Sequence, residues 1–415
     1  MAETASPRAG IIIVAALCTG YVASQFYRSA NAVIASELMA ELSISPESMG
    51  AITGVFFLTF ALMQVPTGVL LDRFGPRIVM PAMLMLAVAG SVIFAMSESE
   101  GSLAFARGLM GVGCAAGLMG SMVVFARWFP QNRFGTLAAL IFSVGGIGNL
   151  LATTPLAATS EAIGWRGSFV GMAAITVGMA ALLYAVIRDA PPGHPALARK
   201  RETAGQVIAG LGQVLREKRL WYVSAMQFVG YPVLMTIGAL WAGPYLTDVH
   251  GLDAISRGNV LLAINVAIIA GVMAMGPLDR IFDTRKWIVA VAATATAAIL
   301  GLLTILPDPP LWQAVTLLIL FGLVGPYQMV LHAHARAIFP EHLIGRGLTV
   351  QNTVAIGAVF LMQWLSGFIV ERFADAADPA FAYRVVFGFL AAITLLALLV
   401  YLRIEDAKPS MAEAG

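Results

Sequence analysis

Apolar residues in this chain gather into long runs rather than alternating every second position. Twelve runs approach the roughly 20 residues that a helix needs to cross a bilayer core. They fall near 11–36, 49–71, 78–96, 102–126, 135–160, 166–187, 220–247, 256–279, 287–306, 311–335, 346–371 and 382–403. Strands of a membrane barrel are shorter and alternate in polarity, so the pattern predicts spanning helices only. Charged residues sit in the breaks. The sharpest break is Gly68-Val-Leu-Leu-Asp72-Arg73-Phe-Gly75-Pro76-Arg77, between the second and third runs.

The breaks repeat. Gly276-Pro-Leu-Asp279-Arg280 with Arg285-Lys286 is a weaker copy of that hinge, about two hundred residues on. Ala126-Arg127-Trp-Phe129-Pro130 returns as Ala335-Arg336-Ala-Ile-Phe339-Pro340, and Trp165-Arg166 as Tyr383-Arg384. Three matches at similar offsets predict two six-helix bundles from a duplication, 1–187 and 220–415, the second with a short tail. Residues 188–219 then form a linker. Pro191, Pro192 and Pro195 open it, and Val207, Ile208, Leu211, Val214 and Leu215 follow at helical spacing, which predicts an interfacial amphipathic helix.

Composition adds the solvent and the orientation. Of 415 residues 59% are hydrophobic and 12% charged, too apolar a chain for water, and the net charge of +2 gives no reason to expect nucleic acid. If the N-terminus is cytoplasmic, the inner loops and tails hold 19 Lys and Arg and the remainder of the chain 6. This positive-inside bias predicts a multi-pass inner-membrane protein with both termini in the cytoplasm. Cys18 and Cys114 both lie in apolar runs and make neither a disulfide framework nor a metal site. No nucleotide loop, zinc motif or nucleophile set is present, so no enzyme and no cofactor is expected.

With the hinge Gly68–Arg77 and the fourth-span stretch Arg107-Gly-Leu-Met-Gly111-Val-Gly113 in view, the chain resembles the major facilitator superfamily over nearly its whole length. The resemblance implies an all-α integral membrane fold of about twelve helices in two bundles, working by alternating access through a central cavity. It also implies that the Asp72 carboxylate helps to hold one conformation. Within that superfamily, Tyr27-Arg28-Ser-Ala-Asn31 and Ala35-Ser-Glu37-Leu38 look most like the organophosphate and organic-anion exchangers. Trp221-Tyr222 and Trp241-Ala-Gly-Pro244-Tyr245 look similar to the same group. The second arginine that phosphate-ester exchangers carry in span seven has no match here; Met235 stands near its place. That departure from the exchangers' pattern argues against a doubly charged phosphate substrate.

Arg28 is the leading candidate for the anchor. It lies about 25 Å into span one by helical rise, where a charged side chain is costly unless it meets water or a partner. Tyr21, Ser24, Gln25, Arg28 and Asn31 form one polar stripe. With Tyr27, and with Tyr231 and Trp241 of span seven and Gln328 of span ten, these supply the candidate substrate residues Arg28, Tyr27, Gln25, Asn31, Tyr231, Trp241 and Gln328. Arg107, His332, Gly68, Asp72, Arg73, Arg77, Arg127 and Asp279 are the candidates for coupling or gating. No acid lies mid-span, so coupling falls to a terminal acid, to His332, to the substrate's own charge or to nothing, which leaves exchange and facilitated diffusion both open. The expectation is a monomeric symporter or antiporter for a small organic anion such as a carboxylate, with a coupling proton or an exchanged anion. An efflux carrier for larger amphipathic compounds and a non-transporting receptor of the same shape are the alternatives.

Overall fold

The computed structural model describes residues 7–190, 216, 218–338, 344–374 and 378–409. Val207, Ile208, Leu211, Val214 and Leu215, which carry the helix expected in the 188–219 linker, lie outside them, as do Phe339 and Pro340 of the second repeat motif. Every described element is helical. Ten segments are long and apolar enough to cross a membrane, and Pro46–Leu62 with Gln64–Phe74, bent by 46°, makes another. The 51-residue segment Thr136–Val186 holds two crossings. It divides at Gly164, whose φ of +74° reverses the chain there. Among the described residues the count is therefore twelve, and each boundary falls within a few residues of the apolar run that predicts it, apart from the C-terminal end of span one, which continues to Leu42.

The spans differ in continuity. Span one is Pro7–Ser29 plus Asn31–Leu42, span four Glu100–Cys114 plus Ala116–Trp128. Span seven is Lys218–Thr236, a π-helical turn Ile237–Trp241, and Ala242–Asp248; span ten is Leu311–Val324, a 3-10 turn Gly325–Tyr327, and Gln328–Ile338. Spans two and five are also interrupted, at Met63 and at 152–153. Spans three (Pro76–Ala95), six (165–186), nine (Lys286–Ile305) and twelve (Pro379–Tyr401) run unbroken, as do eight (Ala254–Ile281) and eleven (Ile344–Arg372). The first helix of every three-helix set is thus broken, and the last of every set is intact. Breaks of this kind free backbone groups that must be satisfied by neighbouring protein or by water, so they belong where a helix is covered by protein or lines a cavity rather than where it faces lipid.

By contacts the chain divides into two units, Met1–Ile34 with Val55–Glu202, and Ala35–Gly54 with Thr203–Gly415. In the first unit, span one packs on five and six, and span three on four and six. In the second, span seven packs on eleven and twelve, and span nine on ten and twelve. The same pairings recur at an offset of six spans. Small residues carry the closest of them. A Cβ on Gly111 would meet the Phe56 carbonyl at 2.2 Å, and one on Gly113 would meet the Ala87 nitrogen at 2.3 Å. These two glycines face opposite ways, so span four is held between spans two and three in near backbone contact.

The hinges repeat as well. Beyond span six, Asp189 Oδ1 accepts the Arg77 N–H at 2.9 Å at the start of span three. Gly75 serves this cap twice: its φ is +80°, and a Cβ there would lie 2.2 Å from Asp189 Oδ1. Beyond span twelve, Asp406 Oδ1 accepts the N–H groups of Arg285 (3.1 Å) and Lys286 (2.9 Å) at the start of span nine, and its Oδ2 accepts the Thr284 hydroxyl. A carboxylate at a helix N-terminus satisfies unpaired donors and opposes the helix dipole, which is why the same device closes both halves.

Candidate functional site

In the first unit the polar stripe of span one lies where the span breaks. Arg28 is 9% exposed, and its guanidinium carbon sits 4.9 Å from the Phe60 ring centroid and 6.0 Å from that of Phe57. The aromatic faces offset part of the cost of holding the cation away from water. One residue on, the Ser29 hydroxyl donates to Asn149 Oδ1 at 2.9 Å, tying span one to span five. Asn31 is buried as the first residue of the second segment of span one, Asn31–Leu42. Gln25 is half-buried, and its Oε1 accepts no hydrogen bond from any described residue. Arg28, Gln25 and Asn31 thus gather cation, amide and helix break within two turns.

Tyr27 has a different place. It is fully buried, its hydroxyl stands 3.1 Å from Thr176 Oγ1 on span six, and its carbonyl accepts Arg107 Nη1 at 2.7 Å. Arg107 itself is fully buried, with its guanidinium carbon 4.8 Å from the Phe56 ring centroid. Span four therefore supports the Arg28 turn from behind: the guanidinium of one arginine holds the backbone next to the other. Residue type alone grouped Tyr27 with the stripe, but a one-residue step turns a helical side chain by about 100°.

In the second unit, Trp241 is fully buried at the end of the π turn, where its indole N–H donates to Ser366 Oγ at 2.7 Å and its ring packs edge-on to Tyr383. Tyr231 is half-buried on the same span. Gln328 opens the C-terminal segment of span ten, with its Oε1 buried and accepting no hydrogen bond from a described residue. Its carbonyl accepts the Nδ1–H of His332 at 2.7 Å, which fixes that ring on its own helix.

The gating candidates lie mostly on the hinges. Asp72 is 3.8 Å from Arg127, and Arg127 also donates to the Asp189 carbonyl. Asp279 pairs with Arg285 at 3.2 Å, both largely buried. Arg77 and Arg73 lay their guanidinium groups over Tyr184 and Phe74. Gly68 has room around it: a Cβ would lie 3.6 Å from Met119 Sδ, an ordinary contact. The close backbone approaches lie at Gly111 and Gly113 instead.

Several residues emerge only in three dimensions. Arg257, 2% exposed, pairs with Glu37 and donates to Thr247 Oγ1 at 2.8 Å, all within the second unit. Nearby, the Tyr383 hydroxyl donates to Asp248. Asp189 and Asp406 could have been found from sequence, since each directly follows the sixth span of its half. Asn149 and Ser366 carry no such signal.

Comparison with known proteins agrees with this architecture. The family model described as Major Facilitator Superfamily matches residues 17–362. The hexuronate transporter of Escherichia coli (strain K12) is 24% identical over 96% of this chain and 94% of its own. A protein of Cupriavidus necator named "Probable sulfoacetate transporter SauU" is 23% identical over 58% of each chain; this chain thus aligns with little more than half of it. Among solved structures, a bacterial homologue of the human lysosomal transporter Spinster, in an inward-facing and occupied conformation, superimposes with a TM-score of 0.79 at 17% identity. That match covers 96% of this chain and 97% of the other.

Proposed function

From the premise that this chain belongs to the Major Facilitator Superfamily and is a multi-pass membrane transporter, we propose that it moves a small organic anion by alternating access, with Arg28 as the anionic group's anchor. The observation that carries this reading is Arg28 itself, a nearly buried cation set between aromatic faces at the break in span one. A carboxylate or sulfonate presents oxygens to a guanidinium in a two-point geometry that lysine cannot offer. Gln25 and Asn31 add amide groups beside it. The printed names of two relatives support the same chemistry, since hexuronate and sulfoacetate are both organic anions. Tyr231 and Gln328 are the polar candidates of the second unit, whereas Tyr27 and Trp241 act as supports whose polar atoms are already engaged.

Counterflow in liposomes tests this. The purified protein should exchange labelled hexuronate or sulfoacetate saturably. Arg28→Ala should cut that exchange at least about a hundredfold, in keeping with the loss of a charge-assisted pair worth about 3 kcal/mol. Arg28→Lys should recover only part of it. Exchange that ignores both substitutions removes Arg28 from the site. An imposed pH gradient reads proton coupling in the same vesicles.

A further inference from the structure

Spans one and five touch at one end and part at the other. A Cβ on Gly148 would meet the Val22 carbonyl at 2.2 Å, and one on Gly145 the Tyr21 ring at 2.4 Å. From that contact toward the hinge face the two helices leave a cleft of about 970 Å³. Val14, Cys18 and Val22 form one wall and Leu137, Leu140 and Val144 the other. It is separate from the Arg28 turn, and neither Arg28, Gln25 nor Asn31 lines it.

We propose that this cleft holds one anionic phospholipid from the leaflet at the hinge face, with an acyl chain along the walls and the phosphate on Arg133. Depth is the first argument. Gly10 and Val22, both in the lining, are twelve residues apart, about 18 Å of helix. One leaflet contributes about 15 Å, half of the hydrocarbon core. Graded polarity is the second. The walls offer almost no free polar group: the Thr19 hydroxyl donates to the Ala16 carbonyl at 2.8 Å and is spent within its own helix. A small polar solute would gain nothing there, whereas an acyl chain would be fully accommodated. The mouth is opposite in character. Trp128 and Arg133 stand at it, and the Trp128 indole N–H is fixed on the Arg188 carbonyl at 2.9 Å. An interfacial tryptophan is typical of the headgroup level.

Charge is the third argument and selects the headgroup. Arg133 is exposed and pairs with no carboxylate among the described residues, and no acid lines the cleft. Of the described acids beyond that mouth, Asp72 lies beside Arg127 and Asp189 caps the start of span three. Arg133 also lies in the first turn of span five, a turn without acidic residues, so the helix dipole adds to its field. A zwitterionic headgroup would bring its own cation to this mouth; an anionic one would not.

The test is native mass spectrometry of the full-length protein released from nanodiscs containing phosphatidylglycerol and phosphatidylcholine in equal amounts. The wild type should retain one phosphatidylglycerol, preferred about fivefold over phosphatidylcholine, the factor expected for one arginine near a lipid surface. Arg133→Ala should bring the two lipids level. Val14→Trp should abolish retention of both, and Leu140→Trp, at a more exposed position of the same cleft, serves if that variant does not fold. Equal retention by the wild type overturns the proposal, as does a preference that survives both Arg133→Ala and cleft filling. Oleate is the third arm: if it displaces phosphatidylglycerol at equal concentration, the occupant is a fatty carboxylate and the phospholipid assignment fails. Substrate exchange does not enter these readouts, so they stand whatever the transported anion is.

Discussion

Arg28 and Arg107 show how two buried cations in one unit divide the work. Arg28 lies between rings at a helix break, while Arg107 gives its strongest hydrogen bond to the carbonyl of Tyr27, one residue away from Arg28. A buried charge held mainly by one carbonyl contributes little net stability, because desolvation offsets the contact. Arg107→Met keeps the volume and should therefore change stability by no more than about 1.5 kcal/mol. Arg107→Ala opens a cavity and should cost about 2–4 kcal/mol. Both should depress exchange, because the Tyr27 carbonyl loses its clamp; thermal melting and counterflow on the same preparations check the split. Trp241→Phe removes the indole donor to Ser366, whose hydroxyl keeps its own bond to the Gln363 carbonyl, and the loss should cost about 1 kcal/mol with the substrate KM unchanged. A large KM effect would return Trp241 to the substrate wall. The sequence made Arg28 and Arg107 conspicuous because charge in an apolar run is rare. It could not say which neighbour each one meets, since that depends on helix rotation.

Helices in this protein are positioned by glycine and capped by aspartate. Gly111 faces the Phe56 carbonyl and Gly113 faces span three, so the glycines of the Arg107–Gly113 stretch are a packing requirement on two sides. Gly111→Ala should cost at least about 2 kcal/mol by forcing spans two and four apart, whereas Gly101→Ala, with open space around it, should be neutral or slightly stabilising. Melting of the two single variants tests the contrast. The Asp406 cap makes a pH prediction. Partial burial alone would raise that carboxyl, but hydrogen bonds from Thr284 and from the Lys286 and Arg285 N–H groups outweigh it and hold it below the ordinary range. A carboxyl with a depressed folded pKa stabilises above its unfolded value, about 3.9, and loses that contribution as pH falls through the folded one. Asp406→Asn should therefore melt below the wild type at neutral pH, and the gap should close on acidification below about pH 4. A gap that persists in acid would show that the cap does not depend on charge.

On the scale of the whole molecule, the segment Ala35–Gly54 belongs to the first half by sequence and to the second unit by contact. Glu37 pairs there with Arg257, Glu47 Oε1 accepts the Trp364 indole N–H at 3.1 Å, and a Cβ on Gly50 would meet the Gln363 carbonyl at 2.2 Å. A double-mutant cycle on Glu37→Gln and Arg257→Gln should give a coupling of about 1–3 kcal/mol, because Arg257 is almost wholly buried. Coupling near zero would reduce the pair to a surface contact. Orientation is open to a direct test too. The arginine and lysine bias predicts that a reporter fluorescent only in the cytoplasm glows when fused after Gly415 and stays dark when inserted at His250.

The sequence by itself determined the number of spans, nearly all of their limits and, by resemblance, the superfamily. Each of these follows from apolar run length and from short hinge motifs, which are local properties of the chain. It also singled out Arg28, since a lone cation in a lipid-length run has few roles. Only the tertiary structure decided that spans one, four, seven and ten break, that Tyr27 and Trp241 turn their polar atoms to Thr176 and Ser366, and that the hinge glycine Gly75 makes room for Asp189. These depend on which face each helix turns to its neighbour. A rotation of one residue, about 100°, exchanges a cavity for a core without altering the hydropathy of the run.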